Sequence, residues 1–164
     1  MASSYSTDLK LELQVTGENA GTWGDITNTN LVLLQQAIAG YQSVSIAGGA
    51  QTTALAMTNA TISNARNAVI ELTGAITGNQ IVTVPDGIEK VYTIFNNTTG
   101  AFTVQIKYAS SGSGVTFATT DKSTRSLYAN GTEIVDTGFV SNTGVATLTR
   151  SEEHTSELQS PYVI

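Results

Sequence analysis

Residues 9–15, LKLELQV, alternate apolar and polar side chains without a fault. Leu9, Leu11, Leu13 and Val15 fall on one side, with Lys10, Glu12 and Gln14 on the other. Period two over this length predicts a strand with one covered face. A Gly-rich connection, TGENAGTWGD, follows and carries the only tryptophan, Trp23. The period then changes. In DITNTNLVLLQQAIAG, Leu31, Leu34 and Ile38 recur at helical spacing, with Val32 or Ala37 flanking. Asp25, Thr27 and Asn28 are N-cap candidates, and Gly40 stands where a C-terminal cap belongs. A helix of about three turns is marginal alone, so its apolar stripe needs a partner. That partner is either the domain's own core or another subunit, and the short length favours an inter-subunit seam.

From Tyr41 onward the pattern is that of short strands. YQSVSIA, ALAMT, NAVIELTG, QIVTVP, KVYTIFN, AFTVQIK, GVTF, RSLYAN and TEIVD are β-type runs. Turn signals separate them: Gly74 and Gly78, Pro85-Asp86-Gly87, Asn96 to Gly100, Ser110 to Gly114, and Asn130-Gly131. Turns at intervals of about ten residues predict a sandwich or barrel. VYTIF and FTVQI, joined by NNTTGA, read as a hairpin with Phe102, Val104 and Ile106 inward and Thr103, Gln105 and Lys107 outward. Asn130-Gly131 predicts a second hairpin, of the type I′ kind that requires positive φ.

The last 15 residues break the picture. RSEEHTSELQSPYVI holds the only histidine, His154, and no apolar period. Glu152, Glu153, His154 and Ser156 are the right types for a metal or acid–base cluster. However, RSEEHTSELQS resembles the translation of a common sequencing-library adapter. The expectation is therefore a non-native tail over 150–164, with the natural chain interrupted near Thr149.

Composition narrows the classes. Residues 1–149 carry six basic and ten acidic side chains, a net charge of −4, and no two of the basic residues are adjacent. Phosphate backbones call for clustered Lys and Arg, so no nucleic-acid partner is expected. There is no cysteine, and with His154 set aside no histidine. This excludes Ser-His-Asp and Cys-His nucleophile systems and His- or thiolate-ligated metals. MASSYSTDLKLELQ has neither a basic start nor an apolar core, so no secretory signal is read, and no run is apolar enough for a membrane span.

The remaining candidates have bland readings. SSGSG at 110–114 lacks the lysine of a phosphate-binding loop and no helix follows it. Asp86 and Glu89 sit by a PDG turn, where solvated carboxylates are ordinary. Asp25, Asn28 and Asn30 offer oxygens to a cation without the spacing of a calcium loop, and helix capping explains Asp25 or Asn28 without an ion. The sequons at Asn59, Asn96, Asn97 and Asn130 are read as turn asparagines. Trp23 would be buried, at an interface, or exposed as a sugar platform; burial or an interface is the expectation.

The stretch TGENAGTWGDITNTNLVLLQQAIAG resembles the N-terminal segment of tail-fibre and related virion proteins of tailed bacteriophages, especially marine ones, which carry a TGE-x-x-GTWG-x-x-TNTNL core before a short helix. The later VPDG turn, NNTTGAFTVQIK, a Gly/Ser loop before GVTF, and YANGTEIVD are similar to a module that recurs in phage fibres. There a cysteine and an aspartate often precede the Gly-Thr; Tyr128-Ala129-Asn130 stands here instead. SNTGVATLT resembles the start of Thr-rich shaft repeats. The resemblance implies a non-enzymatic virion component, a homotrimer assembled in the bacterial host cytoplasm, with distal domains reaching a host-surface glycan.

The expected organisation is mainly β. A virion-anchoring segment with a short strand and helix (1–40) precedes a small antiparallel, jelly-roll-like β-sandwich (41–139). The start of a shaft (140–149) and the adapter-like tail (150–164) follow. Trp23, Leu31, Leu34 and Ile38 are the expected assembly residues; no cofactor, metal or catalytic group is expected. The alternatives are a capsid decoration or head-fibre protein, or a carbohydrate-binding module using Tyr92, Phe102 and Tyr108 as an aromatic platform. A depolymerase with paired carboxylates is the weakest option.

Overall fold

The computed structural model describes residues 3–141. These residues are mainly β, and among them there is one α-helix, α1 (Trp23–Ala39), near the N-terminus. α1 starts earlier than its cap candidates suggest: the N-cap position is Thr22, and no side chain caps it. Asp25 and Asn28 therefore lie inside the helix, where Thr27 Oγ1 donates back to the Trp23 carbonyl. Gly40 ends α1 in extended backbone, not in the left-handed cap the sequence suggests. Its glycine character answers to space, because a β-carbon there would fall against the Gln36 carbonyl and Asn67 Oδ1.

The alternating run 9–15 does not become a long strand. Only Glu12–Leu13 (β2) pairs, with Ser4–Tyr5 (β1), and Lys10 adopts φ 54°. No sheet lies alongside to reward continuous pairing, and the backbone is tied to side chains and loops instead. Asp8 Oδ1 accepts from Glu89 N, the Lys10 carbonyl accepts from Ala60 N, and Asn30 holds both the N–H and the carbonyl of Glu12.

Nine further strands build two sheets. In chain order they are β3 (Tyr41–Ser45), β4 (Gln51–Ala54), β5 (Val69–Ala75), β6 (Gln80–Val84), β7 (Glu89–Thr99), β8 (Val104–Tyr108), β9 (Gly114–Phe117), β10 (Thr124–Asn130) and β11 (Ile134–Ser141). One sheet has the order β11-β10-β7-β5-β3 and the other β4-β6-β8-β9. The chain alternates between them, so β3, β5 and β7 stack in parallel, as do β4, β6 and β8. Three turns of a coil result. Tyr41 lies beside Val69 and Val69 beside Thr93 in one wall; Thr53, Val82 and Ile106 line up in the other. β9 then folds back antiparallel on β8, β10 adds antiparallel to β7, and β11 adds antiparallel to β10. The architecture is thus a small β-sandwich of two mixed sheets, whereas a jelly roll would be antiparallel throughout. Parallel neighbours arise because each strand's return path is the opposite sheet, which supplies the long crossover that parallel pairing requires.

The same winding overturns one expected hairpin. β7 and β8 belong to different sheets, and NNTT continues β7 before the chain turns. Gly100, at φ 102°, makes that corner, and a β-carbon there would strike the Ile76 carbonyl of the preceding turn. Asn96 and Thr98 are buried: Asn96 Nδ2 donates to the Asp121 carbonyl at 2.6 Å and Thr98 Oγ1 to Asn96 Oδ1 at 2.7 Å. The predicted facing of β8 holds, with Val104 and Ile106 buried. The hairpin at Asn130-Gly131 forms, with Ala129 opposite Ile134, although only Gly131 has positive φ (88°). Asn130 instead accepts from Thr132 N and Glu133 N, so its side chain shapes the turn.

Ile46, Ile70, Leu72, Ile94 and Leu127 from one sheet meet Val82, Val84, Val104, Ile106 and Phe117 from the other in one core. Each such side chain is worth about 1.5–3 kcal/mol on burial.

Candidate assembly surface

α1 has two apolar sides. Leu33, 1 % exposed, faces the domain. The opposite side carries Trp23 (63 % exposed), Leu31 (57 %) and Ile38 (77 %), with Leu34 half-buried among them. Steps of three and four residues from Leu31 to Leu34 to Ile38 set these side chains in one line along the helix. The domain core therefore takes Leu33, which the stripe reading passed over, and leaves Leu31 and Ile38 outside. Trp23 is exposed within this chain; of its expected placements, internal burial is corrected. It stands at the first turn of α1, with no packed layer over it.

A groove of about 550 Å³ runs beside the helix, lined by Asp25, Asn28, Val32, Leu33, Ala60 and Ile62 among others. A hollow of about 270 Å³ continues it past Val32 and Ile62 to Tyr41. Val32, Ile62 and Tyr41 are all exposed. Asp25 is the only charged residue of α1. A surface so apolar and so poor in charge presents little desolvation cost to a partner.

Polar fasteners hold the helix in this attitude. Asn30 accepts from Glu12 N at 3.0 Å and donates to the Glu12 carbonyl at 2.8 Å, standing in for a neighbouring strand. Gln36 Oε1 accepts from Arg66 Nη1 at 3.3 Å. Arg66 is fully buried and donates further to the carbonyls of Leu9 (2.9 Å), Thr58 (2.7 Å) and Thr61. Among the described residues its acceptors are all uncharged oxygens, so the charge is spread over several dipoles, and burial lowers its pKa. Lys90 adds a second cation nearby. Its Nζ donates to the carbonyls of Arg66 (3.1 Å) and Asn67 (2.8 Å) and lies 4.2 Å from the centre of the Tyr92 ring. Burial and then the Arg66 charge bring the Lys90 pKa down to about 8. Nothing in the sequence marks Arg66, which stands alone among alanines and asparagines, or Lys90, which follows Glu89 in an otherwise ordinary strand.

The other candidates are placed apart. Asp86 Oδ1 accepts from Ser110 N (3.0 Å) and Oγ (2.9 Å), which fixes the PDG turn against the next loop; Glu89 lies on β7. In the SSGSG loop, the Ser111 carbonyl accepts from Lys107 Nζ at 2.7 Å. Asp25 and Asn28 line the groove, while Asn30 is occupied by Glu12. Among the described residues no three His, Cys, Asp or Glu side chains cluster as metal ligands. Tyr92 and Tyr108 are buried and Phe102 is half-buried, so these three rings do not make the exposed platform a sugar would need. Both tyrosines are drawn in because β7 and β8 turn them toward the shared core. Glu152, Glu153, His154 and Ser156 lie outside the described residues, as does most of the expected shaft start. Among the described residues no helix is long and apolar enough to cross a membrane. No family model, curated protein or solved structure matches the chain.

Proposed function

We propose that this chain is a non-enzymatic structural protein of a tailed-phage virion, the particle-proximal part of a tail fibre or host-adhesion appendage, acting as a homotrimer. The observation that carries the reading is the outward stripe of α1. Trp23, Leu31 and Ile38 are exposed on a helix whose inner side is already satisfied by Leu33. Large apolar side chains lined up at seam spacing and left bare forgo about 1.5–3 kcal/mol each, which a helix of another copy would recover. The GTWG and TNTNL residues that carry the phage resemblance lie on and just before this same helix. In this mechanism α1 joins the subunits and meets the particle, the coiled sheets stiffen the base of the appendage, and distal domains find the host glycan.

A capsid decoration or head-fibre role uses the same surface and differs only in its place on the particle. Immunogold labelling with antibody against the chain separates the two. Label on the tail of phage particles carrying this gene is the expected result, and label over the capsid shell would favour decoration. Particles free of label, with the protein found only in the soluble lysate, would overturn the virion reading.

A further inference from the structure

The β10–β11 turn holds a second kind of chemistry, carried by Asn130 and Gly131. An asparagine followed by glycine is the dipeptide in which the next backbone nitrogen reaches the side-chain carbonyl carbon most easily, because no β-carbon stands in the way. In that reaction the Gly131 nitrogen gives up its proton and bonds to Asn130 Cγ. The Cγ–Nδ2 bond breaks, ammonia leaves, and a cyclic imide remains. Water then opens the imide to aspartate or to isoaspartate.

Here the two reacting groups are held in opposite conditions. Asn130 Oδ1 accepts from Thr132 N (3.0 Å), Thr132 Oγ1 (2.9 Å) and Glu133 N (2.7 Å). These donors draw electron density from Cγ and leave it receptive to attack. The nucleophile is withheld. Gly131 N–H donates to Tyr108 Oη at 2.8 Å. That hydroxyl is itself fixed by donating to the Ile88 carbonyl at 2.5 Å, on a ring that is buried in the core. We infer that Asn130 is a deamidation site kept unreactive by the Tyr108 hydroxyl, which engages the Gly131 amide and turns it away from Asn130 Cγ.

Reaction would be felt beyond the turn. Asn130 lies opposite Glu89 in the β7–β10 pairing, and Glu133 follows three residues later. A new carboxylate would meet like charge on both sides. Isoaspartate would also add a backbone carbon next to the Ala129–Ile134 pair, disturbing the register that β11 depends on.

The test compares the full chain, its Tyr108→Phe variant, its Tyr92→Phe variant and a free peptide covering residues 126–135. All four are incubated in mildly alkaline buffer, and isoaspartate at Asn130 is read by peptide mapping. The wild-type chain should react at least roughly tenfold more slowly than the peptide, since reaction must wait for local opening. Tyr108→Phe should approach the peptide rate. Tyr92→Phe removes the same atom from a buried ring whose hydroxyl has no partner among the described residues, and should stay near the wild-type rate. A wild-type chain as fast as the peptide, Tyr108→Phe as slow as the wild type, or equal acceleration in both variants would each overturn the inference. Should Tyr108→Phe fail to fold, amide exchange at Gly131 in the wild type decides: protection supports the inference, and a peptide-like rate overturns it.

Discussion

The coiled body and the N-terminal unit are stabilised by different forces. Between β3 and β11, Ile46, Ile70, Ile94, Val104 and Ile106 converge in one apolar core, and the few polar strand residues buried with them, such as Gln80 and Asn96, are hydrogen-bonded. Before β3 the relation is reversed. Asn30, Gln36, Arg66 and Asp8 fasten the segment through hydrogen bonds, and much of its apolar surface, including Leu13, Trp23, Leu31 and Ile38, faces solvent. A region held in place by polar contacts can leave its apolar side chains exposed, as the proposed assembly role requires. Hydrophobic burial makes the body; directional bonding poses the helix.

The contrast is broken most severely at the node where the two regions meet. Arg66→Ala leaves the carbonyls of Leu9 and Thr58 without their donor and takes one of two donors from the Thr61 carbonyl and the Gln36 amide oxygen. With bonds to a charged donor worth about 1.5–3 kcal/mol each, the expected loss exceeds about 3 kcal/mol. Hydrogen exchange should show α1 and residues 4–13 opening before β5 and β7 do. Simultaneous opening of all of them would contradict the division. Ile106→Ala should cost about 2–5 kcal/mol in urea unfolding and take the whole body down together.

Lys90 sharpens the comparison through pH. Its folded pKa, about 8, lies below its ordinary 10.5. The unfolded chain therefore binds more protons between these values, and stability rises as pH increases from about 8 to about 10.5. The cost of the half-buried charge, on the order of 3 kcal/mol, is fully present below pH 8. Tyr92 acts oppositely: burial raises its pKa well above 10, so ionisation of the unfolded chain erodes stability above about pH 10. Thermal melts should peak between these limits, and Lys90→Met should flatten the rise below the peak. A wild-type chain losing stability from pH 8 to 9.5 would contradict this account. Smaller again is Asn30→Ala, expected to cost about 1–2 kcal/mol by freeing the Glu12 N–H and carbonyl and to increase exchange at β1 and β2.

Much of the body was legible in the sequence because period two survives wherever one face of a strand is covered. Val104-Gln105-Ile106-Lys107 is an instance, and Asn130-Gly131 marks its hairpin by turn chemistry. The winding was not legible. NNTTGA has the composition of a tight turn, yet Asn96 and Thr98 are buried strand residues satisfied by long-range partners in the Asp121–Ser123 loop and by each other. LKLELQV shows the converse. Its alternation is faultless, but strand length depends on a neighbour to pair with, and here the neighbours are the two residues of β1 and one asparagine side chain. On α1 the exposed stripe was readable as helical spacing, whereas the choice of Leu33 as the inward residue depends on how Arg66 and Gln36 set the helix rotation. Arg66 and Lys90 left no local pattern because their acceptors are one glutamine side chain and backbone carbonyls from three separate stretches.

If the outward side of α1 joins subunits, native mass measurement should separate the full chain from its Leu31→Asp, Ile38→Asp double variant. The wild type should run at three times its 17.1 kDa chain mass at micromolar concentration. The variant, altered only at exposed positions and so within about 0.5 kcal/mol of wild-type stability per site, should run as a folded monomer. A wild type that stays monomeric, or a double variant that still assembles, would contradict it.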